Sequence, residues 1–390
     1  MKLGYFTHTD VSPSETFIFD LIQHLNNEKD IDLTVYSGKK QHRIKGIKNL
    51  KVVSTGFAQK GLATSFKLYK IGQIFGGNGY KYKNQYQQWR SRISLRTSIR
   101  TDALPDIAYI EYGTSAVLCY KFLLENKVPY IVHIHGYDVT SATNDPVYKG
   151  ELINSLNQAK IIIAPSRHLK RYLILLGCVP TKIQVIYPVT DLSTITPKKA
   201  SKSENNQTLI FLGRLTAKKN PFALLHAFSI VSKAVPNSTL KILGDGELRA
   251  ETELLIKQLG LEAKVNMLGS VDKKTAFENL SQADIYVQHS VTSSHGDQEG
   301  FPVSLAEAAA HALPIVSTIH SGITENVING VTGFLVQEYD YENMAEKIIY
   351  LLQHPNIATE MGAEGRRRIM KLCESNARAE SIKNICLACH

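Results

Sequence analysis

The sequence has 390 residues, 43% of them apolar, with 45 Lys and Arg against 35 Asp and Glu and a formal net charge of +10. That length fits two or three domains, each with enough apolar residues for its own core. No apolar run approaches the ~18 residues of a helical membrane span, and five cysteines, widely scattered apart from the last pair, speak against a disulfide framework.

The opening Met1-Lys2-Leu3-Gly4-Tyr5-Phe6 reads as a short strand, not a signal peptide. The chain is therefore expected to stay in the cytosol. A first strand over Leu3 to Thr7 leads to Pro13-Ser14-Glu15-Thr16-Phe17, where Ser14 or Glu15 suits the cap of a following helix. Asp30-Ile31-Asp32 spells a metal-binding pair, but it precedes a strand and reads as solvated surface. From Leu33 to Thr101 there is no Asp or Glu, while the same 69 residues hold 15 Lys and Arg. Taking these 15 from the 45 leaves 30 basic against 35 acidic residues in the rest of the chain, so one block makes the protein basic. Within it, Phe66 to Phe75 mixes apolar and basic residues, with Leu68, Ile71 and Phe75 at helical spacing. That pattern suits an anionic membrane surface. No nucleic-acid motif accompanies it.

Further strands are expected over Leu33 to Tyr36, Lys51 to Val53, Ile107 to Ile110, Tyr130 to Ile134 and Ile161 to Ala164. Alternation puts His133 and His135 on one face at the end of the fifth, in Ile131-Val132-His133-Ile134-His135-Gly136-Tyr137-Asp138. His133 reads as a buried core histidine. His135, beside a glycine at a strand end, is the candidate to meet a sugar hydroxyl or to stabilise charge at a reacting carbon, with Asp138 to orient it.

Thr194 to Gln207 is rich in Pro, Ser, Lys and Asn without periodicity and reads as a linker. Strands then recur over Leu209 to Leu212, Leu240 to Leu243, Lys264 to Leu268, Ile285 to Gln288, Pro314 to Ser317 and Phe334 to Val336. Strands alternating with helix-length segments predict an α/β protein of two doubly wound parallel sheets facing a cleft. The expected boundaries are 1–190, 191–372 and a last helix in 373–390. The terminal Cys386-Leu387-Ala388-Cys389-His390 reads as a chance likeness to a haem-attachment string.

Three strand-end stretches of the second half carry the chemistry. Gly213-Arg214-Leu215-Thr216-Ala217-Lys218-Lys219 offers Arg214 and Lys219 to a diphosphate, and Arg can hold it bidentately. Gly244-Asp245-Gly246-Glu247 lets a nucleotide approach the backbone. In Glu299-Gly300-Phe301-Pro302-Val303-Ser304-Leu305-Ala306-Glu307, Pro302 suits the first helical position, and the free amides of Val303 and Ser304 form an anion site. Glu307, one turn further in, leans back towards that end and is suited to a ribose diol. Glu299, just ahead of the helix, is suited to the hydroxyls of a second sugar. Phosphate, ribose and hexose together describe a nucleotide sugar, and two cations make a metal ion unnecessary.

These motifs, with Ser321-Gly322-Ile323 and Gly333-Phe334-Leu335-Val336, resemble glycosyltransferase family 4, of the GT-B fold with two facing Rossmann-like domains. The runs around Pro13 to Ile18, Gly296 to Pro302 and Ser317 to Ile323 are most similar to its exopolysaccharide branch, the colanic-acid glycosyltransferases. The resemblance implies retention of anomeric configuration and no metal requirement, and the donor expected here is a UDP-sugar. It assigns Gly213, Arg214, Lys219, Gly244, Gly246, Glu299, Gly300, Phe301, Pro302, Val303, Ser304 and Glu307 to the donor. His135 would lie beside the transferred sugar. The acceptor, a lipid-linked glycan or oligosaccharide, would meet Ser14, Glu15, Thr16 and Asp138 from a peripheral position on the inner membrane face. Many relatives carry a Gly-Gly loop where this chain has Pro13-Ser14-Glu15-Thr16. The competing readings are a non-catalytic nucleotide-sugar-binding subunit and another GT-B enzyme such as a nucleotide-sugar epimerase.

Overall fold

The computed structural model describes residues 1–8, 11, 15–39, 44–57, 79–188, 192, 195–197, 207–373 and 377–390. It divides into two compact units, Met1–Thr190 with Asn376–His390, and Asp191–Ser375. Ser14 and the stretch Phe66 to Phe75 lie outside the described residues.

The first unit is built on seven parallel strands. These are β1 Lys2–Thr7, β2 Asp32–Ser37, β3 Lys51–Ser54, β4 Ile107–Glu111, β5 Tyr130–His133, β6 Ile161–Ala164 and β7 Ile183–Val185, in the order β3-β2-β1-β4-β5-β6-β7. Leu3 stands opposite Leu33 on one side and Ile107 on the other. Runs such as Ile161-Ile162-Ile163 are apolar on both faces because helices cover both faces of a parallel sheet. Alternation along each strand then divides the core. Phe6, Ile110 and Val132 pack with α2 (Gly79–Ser98), α3 (Gly113–Glu125), α5 (Pro146–Gln158) and α6 (Arg167–Leu175). Tyr5, Tyr109 and Ile131 pack on the opposite face with α1 (Thr16–Asn27). Between α3 and α5 lies a single turn, α4 (Gly136–Val139). Only β7 has no counterpart among the expected strands; three residues give too short a pattern to read.

The second unit repeats the plan with β8 Gln207–Leu212, β9 Ser238–Leu243, β10 Val265–Gly269, β11 Ile285–Val287, β12 Ile315–Thr318 and β13 Gly333–Val336, in the order β10-β9-β8-β11-β12-β13. Its helices are α7 Pro221–Ala234, α8 Arg249–Gln258, α9 Lys273–Gln282, α10 Val303–Ala310, α11 Ile323–Asn326, α12 Tyr341–Gln353 and α13 Pro355–Leu372. In both sheets the chain runs outward from the first strand and then reverses, so β1/β4 and β8/β11 are the switch points where such folds bind ligands.

The last helix, α14 (Ala377–Ala388), belongs to the first unit. It buries Ile382 and Cys386 on the α1 face, pairs Lys383 with Glu28 at 2.7 Å, and donates from Arg378 to the Phe17 carbonyl at 2.7 Å. No helix among the described residues is long and apolar enough to cross a membrane.

Helix α13 crosses the loop after α10 at Gly362, where a Cβ would lie 2.0 Å from the Ala312 carbonyl oxygen. Backbone cannot yield there as a flexible side chain would. Gly362→Ala is therefore expected to destabilise the second unit by about 2 kcal/mol, in the range of overpacked cores. A urea midpoint unchanged from wild type would contradict that packing.

Candidate active site

In the second unit the site forms where β8, β11 and the start of α10 meet. Tyr286, on β11, places its hydroxyl within 3.0 Å of the Leu212 carbonyl at the end of β8 and 2.9 Å of Ser304 Oγ in the first turn of α10. The helix end thus lies beside the loop that begins Gly213-Arg214. Pro302 takes the N-cap, one residue before the first-helical position expected for it, with Val303 leading the helix. Its φ of −72° suits either place, but its ψ of 108° is extended, so the turn begins a residue later. The Leu305 amide donates to the Pro302 carbonyl at 3.2 Å, while those of Val303 and Ser304, at the helix start, have no intrahelical acceptor and no side-chain cap.

Below this helix end lies a buried polar chain. Lys219 Nζ is 2.9 Å from Glu299 Oε1 and 3.2 Å from Gln288 Oε1. Ser290 Oγ donates to Glu299 Oε1 at 3.1 Å and accepts from Gln288 Nε2 at 2.8 Å. Lys219 and Glu299 are 8% and 5% exposed, so neither charge is shared with bulk water. Burial pushes the Glu299 carboxyl up, but Lys219 and Lys218 outweigh it and hold it at about 2. Burial, with like charge from Lys218 and Arg214, keeps the Lys219 ammonium below its ordinary range despite Glu299. Three cations therefore crowd one loop, and the inner two have anionic partners, Lys219 with Glu299 and Lys218 with Asp297 at 3.2 Å. Arg214 is exposed and makes no hydrogen bond or ion pair among the described residues.

Glu299 is held from behind as well. Its amide donates to His320 Nε2 at 3.1 Å, while His320 Nδ1 faces Glu338 Oε1 at 2.6 Å. These bonds assign the ring proton to Nδ1. Ser321, at a φ of 44°, donates its hydroxyl to the Glu299 carbonyl. A Cβ at Gly322 would stand 2.1 Å from the Gly300 carbonyl oxygen, so only glycine allows the two loops to touch. Gly244 and Gly246 serve a similar approach. Side chains there would meet the carbonyl oxygens of Gly213 at 1.9 Å and Leu215 at 2.3 Å, which gives both glycines a packing reason beside the donor role expected of them. Phe301 and Glu307 are buried, at 6% and 8% exposure.

In the first unit, the ends of β4 and β5 converge on a carboxylate. Glu111 is fully buried. Its Oε1 lies 2.5 Å from His135 Nε2 and 3.2 Å from His133 Nδ1, and its Oε2 accepts from the Tyr5 hydroxyl. Burial pushes its carboxyl up, yet His133 and His135 hold it well below the ordinary range. His133 is buried as expected, its pKa pushed down to about 4 by that burial, but its Nε2 has no partner. The His135 ring packs against Tyr112 at 4.5 Å and Phe17 at 5.4 Å between centroids. The ligand atoms of Glu111, His133 and His135 lie within 4.8 Å of one another, a spacing a metal ion could use, but hydrogen bonds to the two rings already explain it.

Asp138, expected to orient His135 and to meet the acceptor, is tied to the backbone of His135 and of Gly113. It is 1% exposed and accepts from the amides of His135 at 2.9 Å and Gly113 at 2.7 Å. Its buried carboxyl is pushed up to about 6. Glu15 occupies the N-cap of α1 without a side-chain capping bond; its carboxylate accepts from the Tyr112 hydroxyl. Thr16 opens that helix.

Sequence reasoning missed Glu111, Gln288 and His320. Glu111 did carry a signal, as the one charge ending the apolar strand Ile107-Ala108-Tyr109-Ile110. Gln288 and Ser290 are polar residues directly after an apolar strand, and only the tertiary structure turns the first to Lys219 and the second to Glu299.

Two Rossmann-like units, one with a helix end beside clustered cations, have the architecture of the GT-B fold. The model for Glycosyltransferase Family 4 matches residues 14–194, and that for Glycosyl transferases group 1 matches residues 193–368. The chain belongs to glycosyltransferase family 4 and is a glycosyltransferase. It is 26% identical over 377 residues to the amylovoran biosynthesis glycosyltransferase AmsK of Erwinia amylovora, covering 90% of this chain and 91% of that one. It is 30% identical over 247 residues to the putative colanic acid biosynthesis glycosyltransferase WcaL of Salmonella typhimurium, covering 62% of this chain and 60% of that one. The crystal structure of HepE of Anabaena in complex with UDP-glucose shares the fold, with a TM-score of 0.75 over 100% of both chains at 18% identity.

The ion pair makes a pH-dependent prediction. Lys219→Met leaves Glu299 buried without its nearest cation, which should cost about 3 kcal/mol at neutral pH. In wild type the folded value of about 2 lies below the ordinary 4.5, so the stabilisation is full above 4.5 and is lost as pH falls towards 2. The stability gap between wild type and variant should narrow over that window. Urea unfolding at pH 7 and pH 3 measures it, and a constant gap would contradict the pairing.

Proposed function

We propose that the protein moves a hexose from a UDP-sugar to a lipid-linked or oligosaccharide acceptor in cell-surface polysaccharide synthesis, with retention and without a metal ion. The observation that carries this reading is the buried Lys219–Glu299 pair beneath the start of α10. The relatives named for amylovoran and colanic acid biosynthesis support the polysaccharide, and the HepE complex with UDP-glucose supports the donor.

In this reading Arg214 and Lys219 neutralise the diphosphate as it leaves. The amides of Gly300, Phe301, Val303 and Ser304 hold phosphate and sugar. Glu307 accepts the ribose hydroxyls, and Glu299 accepts hydroxyls of the hexose. His135 is assigned to the transferred sugar, and the acceptor to the loop carrying Ser14, Glu15 and Thr16. The bond from the anomeric carbon to the phosphate oxygen breaks as the acceptor oxygen arrives on the same face. The departing oxygen takes the acceptor's proton, so no protein base is required. Glu299 already accepts from Lys219 and Ser290, which suits a positioning carboxylate better than a nucleophile. Two cations supply the charge a metal would otherwise bring.

Transfer from UDP-glucose, UDP-galactose or UDP-N-acetylglucosamine, followed by NMR of the product, should give the donor's anomer in the presence of EDTA. An inverted anomer, or activity that returns only with Mg²⁺, would overturn this mechanism.

The acceptor's lipid would bring the first unit to the inner face of the cell membrane. Helix α2, inside the basic block, supports that position. It exposes Trp89 and Ile93 one turn apart, at 52% and 41%, with Arg90 beside them, Arg96 paired with Glu125 at 2.9 Å, and no acidic residue in the helix itself. A tryptophan with flanking arginines suits the interface of an anionic leaflet. Trp89→Ser with Ile93→Ser should reduce co-sedimentation with phosphatidylglycerol vesicles at low salt. Equal pelleting of variant and wild type, or equal pelleting on phosphatidylcholine, would remove the membrane role of this helix.

A further inference from the structure

Behind His135 lies a group to which the transfer reaction gives no part. Glu111 closes β4 with no exposure to solvent, and both its oxygens are taken from within the unit. Oε2 accepts from Tyr5, while Oε1 faces His135 Nε2 at 2.5 Å and His133 Nδ1 at 3.2 Å. Tyr109 closes the group through a 2.7 Å contact with His133 Nδ1. A buried carboxylate is costly unless it is paired and hydrogen-bonded. An apolar residue would complete the strand end more cheaply, so packing alone does not explain a glutamate here.

His135 is the one member of the group that reaches outward, with 14% of its side chain exposed against none for Glu111 and His133. Its backbone is pinned by Asp138, and its ring lies between Tyr112, Phe17 and His133. The Asp138 amide, in a capping box with the His135 side chain, already approaches the ring on its Nδ1 side, and what remains to be fixed is the proton on Nε2. The carboxylate decides that, because an ionised oxygen only accepts. We propose that Glu111 is a positioning residue for the transfer, holding His135 in the tautomer protonated at Nε2 and leaving Nδ1 as the ring's acceptor nitrogen. The inference rests on the reading of His135 as the residue beside the transferred sugar. Glu111 acts through that ring and touches no substrate.

The test is a cycle of Glu111→Gln, His135→Ala and the double variant. Turnover is followed with whichever of UDP-glucose, UDP-galactose and UDP-N-acetylglucosamine the wild type uses fastest. E111Q should lower kcat by about 10²-fold, the size of a small misplacement, with KM for the donor and UDP binding unchanged. In the H135A background E111Q should cost nothing further. Nitrogen-15 spectra of histidine-labelled protein should show His135 protonated at Nε2 in wild type and a mixture of tautomers in E111Q. Should E111Q fail to fold, Tyr5→Phe removes one partner of Glu111 without touching His135, and should give a smaller kcat loss that also vanishes in H135A. If H135A is slow while E111Q or Y5F turns over as wild type with an unaltered tautomer, the positioning role is overturned. The same holds if either variant lowers kcat equally with and without His135. If H135A itself has wild-type kcat, the reading of His135 fails, and the role of Glu111 with it.

Discussion

A lysine ammonium and a glutamate carboxylate, both nearly excluded from water, set the terms for the second unit. Separating Lys219 from Glu299 would leave a buried charge uncompensated, and that penalty is far larger than the benefit of any surface pair. The loops around them are arranged accordingly. Gly213 lets the Lys219 stem pass, since a Cβ there would lie 3.3 Å from Lys219 Cε. The His320–Glu338 pair and Ser321 hold the backbone of Glu299, and Gly322 lets the two loops touch. In the proposed reaction the cations of this loop are already assembled around the pair before a diphosphate arrives, which is the physical sense of preorganisation.

The first unit applies the same device with histidine in place of lysine. Glu111 is kept charged by two imidazoles and a phenol, and one of those imidazoles, His135, is the group that reaches outward. Backbone strain gathers nearby. Tyr112 holds a φ of 72°, which β-region strands never require, and in doing so directs its hydroxyl to Glu15. Asn220 and Ser321, at φ of 41° and 44°, do likewise in the second unit, one capping α7 and one holding Glu299. Such positions persist only where surrounding contacts over-determine them.

Much of this was legible in the sequence because it is local. Twelve of the thirteen strands follow from apolar runs of the right length, and α10 follows from a proline and the helix formers after it. The pair of glutamates eight positions apart is likewise a pattern along one segment. What stayed hidden is non-local. Asp138 could be read as orienting His135 three residues before it, but not as accepting from the Gly113 amide at another strand end. Glu111 meets His135 only because β4 and β5 are neighbours in the sheet, and Gln288 meets Lys219 only because β11 lies beside β8. Those meetings are made by strand order, which no single segment encodes. The extended ψ of Pro302 is a matter of one residue, at a helix end where the sequence signal is always weakest.

The central claim is that the cations of the β8 loop hold the diphosphate of a nucleotide sugar. Calorimetric titration of UDP into the wild-type chain and into Arg214→Ala with Lys219→Ala, both in EDTA, tests it most directly. Wild type should bind without metal, and the double variant should lose at least about 2 kcal/mol, the scale of charged hydrogen bonds left unmade. Equal affinity of the two proteins for UDP would show that the donor binds elsewhere.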